Sequence, residues 1–115
     1  MQLVRFSDAP SYEAPGHTHM AMRQIQGRAA GKTDSVWMGV SIIQPGGGTT
    51  LTASPVEKFY VVLEGTLQIS TMGDAGSSVA QLHPFDSIRI EPGEARQLLN
   101  ESGEPCSVLL VMPNP

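Results

Sequence analysis

The chain has 115 residues, of which 40% are hydrophobic and 16% charged, and its formal charge is −4 at neutral pH. That length leaves room for one domain with a real apolar core and excludes a second of ordinary size. Its seven Lys and Arg are scattered along an acidic chain, which excludes the basic footprint that phosphate backbones or anionic membranes require.

In chain order, His17 to Gln26 is an extended segment, followed by a small and polar stretch from Gly27 to Ser35 that forms a loop. Strands are predicted at Val36 to Gln44, Glu57 to Leu63, Thr66 to Met72, Asp86 to Ile90 and Ser107 to Met112. Pro45-Gly46-Gly47-Gly48 is expected to stop the strand before it, because proline withholds a donor and glycine permits positive φ. Glu64-Gly65 between two apolar runs predicts a tight hairpin, Asp74 to Ser78 a polar hairpin tip, and Glu91 to Glu94 a further turn. The runs are too short for core helices, so the expectation is an all-β barrel or sandwich. Residues 1–35 form an N-terminal arm and early strand packing on a barrel of residues 36–115, one domain overall. The lone Cys106 cannot form an internal disulfide, the N-terminus lacks a signal-peptide pattern, and no run approaches the ~20 apolar residues of a membrane span. The expected address is the cytoplasm.

Within Glu57 to Leu63, alternation puts Lys58, Tyr60 and Val62 on one face and Glu57, Phe59, Val61 and Leu63 on the other. Neither face is mostly polar, which points to cover on both sides and hence to sheet packing or a homodimer.

The spacing resembles the two motifs of the cupin family, G-x5-H-x-H-x3-E-x6-G and G-x5-P-x-G-x2-H-x3-N. Gly46, Thr52, Ser54, Lys58 and Gly65 stand at the first motif's marked positions. Gly93 and Asn100 match the second motif, with Phe85, Glu91 and Arg96 at its first Gly, Pro and His positions. The resemblance covers about residues 36 to 112 and implies a small single-domain β-barrel, or jelly roll. It also implies that the family's metal ligands fall here on Thr52, Ser54, Lys58 and Arg96. Two of these carry fixed positive charge and would repel a divalent metal, so neither metal nor other cofactor is expected.

If the register holds, Lys58 and Arg96 face the cavity, where a buried cation needs compensation. A substrate carboxylate, enolate or phosphate held by Arg96 would supply it, with Thr52 and Ser54 as further binding groups. Burial and Arg96 would both lower the Lys58 pKa, opening base or Schiff-base roles, and Tyr60 on the same face could donate a proton. The alternatives are that Glu57-Lys58 is a charge pair at the strand entrance, that a bulge turns Glu57 inward, and that Arg96 only pairs with Glu91 or Glu94.

His17 and His19, at i and i+2 on a strand, face the same way and could act as acid and base from a barrel mouth. They could instead join Glu57 as fallback metal ligands, or lie as solvated imidazoles in a loop. His83 beside Pro84 reads as an exposed turn residue, and Cys106 as inert core.

The expected function is a metal-independent lyase or isomerase of a small anionic oxo- or hydroxy-carboxylate, with Lys58, Tyr60, His17 and His19 catalytic. The alternatives are a non-catalytic anion-binding or sensor module and a metalloenzyme with an atypical His17/His19 site.

Overall fold

Short apolar runs punctuated by Gly, Pro and polar turns fold as strands. A computed structural model describes Met1–Pro115 and shows ten: β1 (Ser11–Tyr12), β2 (His17–Gln26), β3 (Val36–Thr49), β4 (Thr52–Ala53), β5 (Lys58–Glu64), β6 (Leu67–Gly73), β7 (Gly76–Leu82), β8 (Ser87–Ile90), β9 (Ala95–Leu99) and β10 (Cys106–Pro113). Helix is limited to two 3₁₀ turns, Phe6–Asp8 and Arg28–Ala30, and no helix is long and apolar enough to cross a membrane.

All pairings are antiparallel, in the order β7-β6-β9-β3-β10-β5-β8, with β2 also on β3, β1 on β2 and β4 on β9. The sheet curls into an almost closed barrel, the jelly-roll architecture expected from the sequence. β3 serves both layers: it pairs with β2 and β10 along its length, and with β9 only at Gly48↔Leu99. Residues 1–35 add β2 beside β3, and β1 lies outside β2.

The Pro45–Gly48 cluster does not end the strand, contrary to the sequence expectation. β3 continues to Thr49, and its register against β2 jumps from Met20↔Ile43 to Thr18↔Gly48. Glycine is what lets the strand turn this corner. A Cβ at Gly48 would lie 2.1 Å from the Leu98 carbonyl oxygen, and one at Gly47 2.6 Å from that of His19. The Asp74–Ser78 tip is shorter than predicted, because β6 and β7 stay paired as far as Gly73↔Gly76.

The core comprises Ile43, Tyr60, Val62, Leu67, Ile69, Leu82, Ile90, Leu98, Cys106 and Val108. Asn100 locks its floor: the amide Nδ2 donates to the carbonyls of Ile43 (2.9 Å) and Glu104 (2.8 Å), and Oδ1 accepts from Ser102. The outer face of β5 is open in the single chain, with Phe59 and Leu63 each 40% exposed.

Candidate functional site

The alternation of β5 decides between Lys58 and Glu57. Lys58, Tyr60 and Val62 are buried, while Glu57 lies on the outside and forms an ion pair with Arg89 of β8. Lys58 therefore faces inward, and Glu57 is turned away from any fallback metal site. Arg96 enters from the opposing layer, where β9 buries Arg96 and Leu98 and leaves their neighbours partly open. Its hydrogen bonds all go to neutral groups. Nε donates to the Tyr60 hydroxyl (2.9 Å), and Nη1 to Thr49 Oγ1 and the Thr50 carbonyl (3.4 Å each). The expected alternative, a pairing with Glu91 or Glu94, does not occur; Glu91 pairs with Arg89, and Glu94 accepts from the Glu91 backbone.

Neither buried cation has a carboxylate within ion-pair distance, since both ion pairs in the molecule belong to Arg89. Lys58 is 9% exposed and Arg96 6%. Burial pushes the Lys58 pKa down, and the nearby Arg96 guanidinium pushes it further. The result is a region of uncompensated positive potential that favours an anion.

Thr52 lies opposite Arg96 in the β4–β9 ladder, hence on the same face, and its hydroxyl meets that of Thr50 at 2.9 Å. The Ser54 hydroxyl accepts from the Val56 backbone at 3.3 Å in the turn before β5. His17 pairs with Thr49 across β2 and β3, so it shares the face of Arg96's threonine, and its Nδ1 is 2.8 Å from the Pro15 carbonyl. His19 does not alternate in step with it: its φ is +50°, the β2–β3 register shifts there, and the side chain is exposed. No three His, Cys, Asp or Glu side chains converge anywhere in the molecule.

Thr49 and Tyr12 belong to this end of the barrel, and sequence reasoning passed over both. Thr49 directly follows the three glycines that turn β3 inward, which is the signal that could have found it. Tyr12 comes from the two-residue β1, too short to carry a pattern. Hollows elsewhere are less informative. One of about 280 Å³ at the β6–β7 tip is flanked by the exposed Asp74 and Glu91 and by Glu94, whose carboxylate accepts from the Glu91 backbone.

The chain belongs to the cupin family: the cupin-domain family model matches residues 39–112. Over its whole length the chain is 35% identical to β-D-galactosidase Rv1717 of Mycobacterium tuberculosis, 96% of which is covered. In three dimensions it resembles the polyketide cyclase RemF of Streptomyces resistomycificus, with a TM-score of 0.84 and 24% identity over 98% of this chain and 79% of that one. It also resembles oxalate decarboxylase of Lactobacillus farciminis, with a TM-score of 0.81 and 19% identity, all of this chain covering 33% of that one. At these identities the structural likenesses speak for the fold alone.

The cupin family commonly holds a transition metal, and the side chains here do not fit one. Protonated ammonium and guanidinium groups have no lone pair to donate, and neutral threonine and serine hydroxyls are poor ligands beside two positive charges.

Proposed function

We propose that this cupin binds a small carboxylate between Lys58 and Arg96 and acts on it as a metal-independent lyase or isomerase. The observation that supports the reading is the pair of buried cations, at the family's ligand positions, with no carboxylate to neutralise them. Arg96 Nη2 makes no hydrogen bond within the protein, so its two N–H groups are free for a carboxylate oxygen. Arg96, which stays charged, carries the carboxylate, and the lowered pKa of Lys58 makes its neutral amine accessible on loss of a proton to solvent, so that it can take a proton from the carbon α to a carbonyl or carboxylate. Negative charge then grows on the enolate oxygen, where Arg96 and the Tyr60 hydroxyl proton stabilise it. Return of the proton at another carbon completes an isomerisation; departure of a β-hydroxyl, protonated as water, completes a dehydration.

The galactosidase name of the Mycobacterium relative suggests a glycoside substrate. Glycoside hydrolysis ordinarily needs two carboxylates flanking the bond. None lies within ion-pair distance of Lys58 or Arg96, so acid–base chemistry on an anion suits these residues better. The same absence of a carboxylate base favours, as a second reading, a module that binds the anion without turning it over.

The partners in this reading are the small anion and a second copy of the chain, paired through the outer sheet face where Phe59, Val61 and Leu63 lie beside Leu109 and Val111. The test is isothermal titration and turnover across a panel of small oxo- and hydroxy-carboxylates, with Lys58→Met and Arg96→Met as folded controls. Loss of binding or turnover in both variants is the expected result. Unchanged behaviour in both would reject the site.

A further inference from the structure

The inner wall that runs from β5 across β10 to β3 carries polar groups that the acid–base reading does not use. Tyr12 reaches in from β1, on the face shared by Met22 and Ser41. The absence of a side chain at Gly39 makes room for it: a Cβ there would lie 3.1 Å from the Tyr12 hydroxyl and 3.0 Å from Cζ3 of Trp37. The two rings meet edge to face, with centroids 6.0 Å apart and planes at 86°. Neither polar tip is satisfied within the protein. Trp37 is 3% exposed, and its indole Nε1 is the one fully enclosed side-chain polar atom without a hydrogen-bond partner. The Tyr12 hydroxyl makes no hydrogen bond either, although burial and the neighbouring Tyr60 push its pKa up against the opposing pull of Arg28.

These groups belong to the same end of the barrel as the cations. Gly39, Leu110 and Tyr60 lie in one cross-strand row, so Gly39 and Tyr60 are separated by two strand spacings, roughly 9.5 Å between backbones. Tyr60 accepts from Arg96 Nε and keeps its own O–H proton uncommitted. From Tyr12 to Tyr60 the wall therefore offers aromatic surface and two phenol hydroxyls; the Arg28 guanidinium stacks on the Trp37 ring, 4.3 Å from its centroid, and Lys58 and Arg96 lie beyond Tyr60. Buried donors in a folded protein normally have partners, and aromatic rings with hydrogen-bonding tips suit a ligand that is apolar on its faces and rich in oxygen at its edges.

We infer that the anion held by Lys58 and Arg96 is a polyhydroxylated acid of the uronate or aldonate class, with its hydroxyl-bearing carbons against the phenol hydroxyls of Tyr12 and Tyr60. The inference rests on the anion-binding reading and adds the chemistry of the rest of the ligand. A site built to hydrogen-bond hydroxyls discriminates strongly against an analogue that lacks them, because its donors are then left unpaired.

The experiment is isothermal titration of the full chain with D-glucuronate, D-gluconate, neutral D-glucose and cyclohexanecarboxylate, a six-membered ring that carries the charge without hydroxyls. One of the two sugar acids is expected to bind at least tenfold more tightly than cyclohexanecarboxylate and than glucose. Tyr12→Phe is expected to weaken that acid about tenfold and leave cyclohexanecarboxylate unchanged. Equal binding of cyclohexanecarboxylate and both sugar acids, or a Tyr12→Phe effect that is absent or the same for both classes, overturns the inference and leaves the anion site standing. If no carboxylate binds the wild-type chain, the anion reading itself fails and takes the inference with it.

Discussion

Arg96 Nε donates to the Tyr60 hydroxyl at 2.9 Å across the two layers of the barrel, the shortest of the three bonds that hold the guanidinium, and leaves the phenol's own proton free. Tyr60→Phe removes the acceptor and strands a buried guanidinium N–H, which costs about 1–3 kcal/mol of stability. It also frees Nε to turn toward a bound carboxylate. Anion affinity should therefore stay within a few-fold of wild type, while turnover, if proton donation by Tyr60 drives it, should fall by about 10²-fold or more. Denaturant melts and a kcat-against-KM comparison check the two halves separately. A variant as stable as wild type would show that the bond holds nothing in place.

Lys58 makes the pH dependence of stability run upward. Burial and Arg96 lower its folded pKa, so the unfolded chain binds the proton more tightly. Between the folded pKa and the ordinary lysine value, stability contributed by this group rises with pH, and it is lost as pH falls through the folded pKa. Anion binding has the opposite sense: the ligand stabilises the ammonium, so affinity weakens as pH rises through the free protein's Lys58 pKa. Lys58→Met removes the buried charge. It should raise Tm by a few degrees at pH 7 and flatten the high-pH rise, while losing anion affinity. Calorimetric melts from pH 6 to 10 measure the first effect and titration the second; a destabilised Lys58→Met with normal anion affinity would contradict both.

How much of this was legible in the sequence differs from residue to residue. The period-2 pattern of β5 and the motif spacing put Lys58, Tyr60 and Arg96 on one interior only if the register holds; a bulge that turns Glu57 inward is equally open to the sequence, and the burial of Val62 with Glu57 outside decides it. Asn100 was matched by position, although its task of capping the Ile43 carbonyl depends on a chain reversal that no local pattern encodes. His17 and His19 do not face the same way, because the strict alternation that would put them on one face fails at His19. Its positive φ breaks the alternation where β3 turns its glycine corner. Thr49 is brought to Arg96 by that corner, which the glycine run marks, whereas Tyr12 needed the tertiary fold, because its two-residue strand carries no pattern.

The corner itself supplies a paired test of close approach against conformational freedom. Gly48 has no positive φ, yet a Cβ would stand 2.1 Å from the Leu98 carbonyl oxygen, a backbone atom that can move only with β9. Gly46 has a φ of +82° and nothing within 4 Å of the added carbon, so alanine there meets only the left-handed backbone penalty of about 1–2 kcal/mol. Gly48→Ala should be the more damaging, at about 3 kcal/mol or more, because relief of the clash must displace β9 and with it Arg96. Gly46→Ala should then melt a few degrees low with anion binding intact, whereas Gly48→Ala should lose stability and binding together. Equal destabilisation of the two would mean that the corner depends on glycine's backbone freedom alone, and that the approach of β3 to β9 does not position the site.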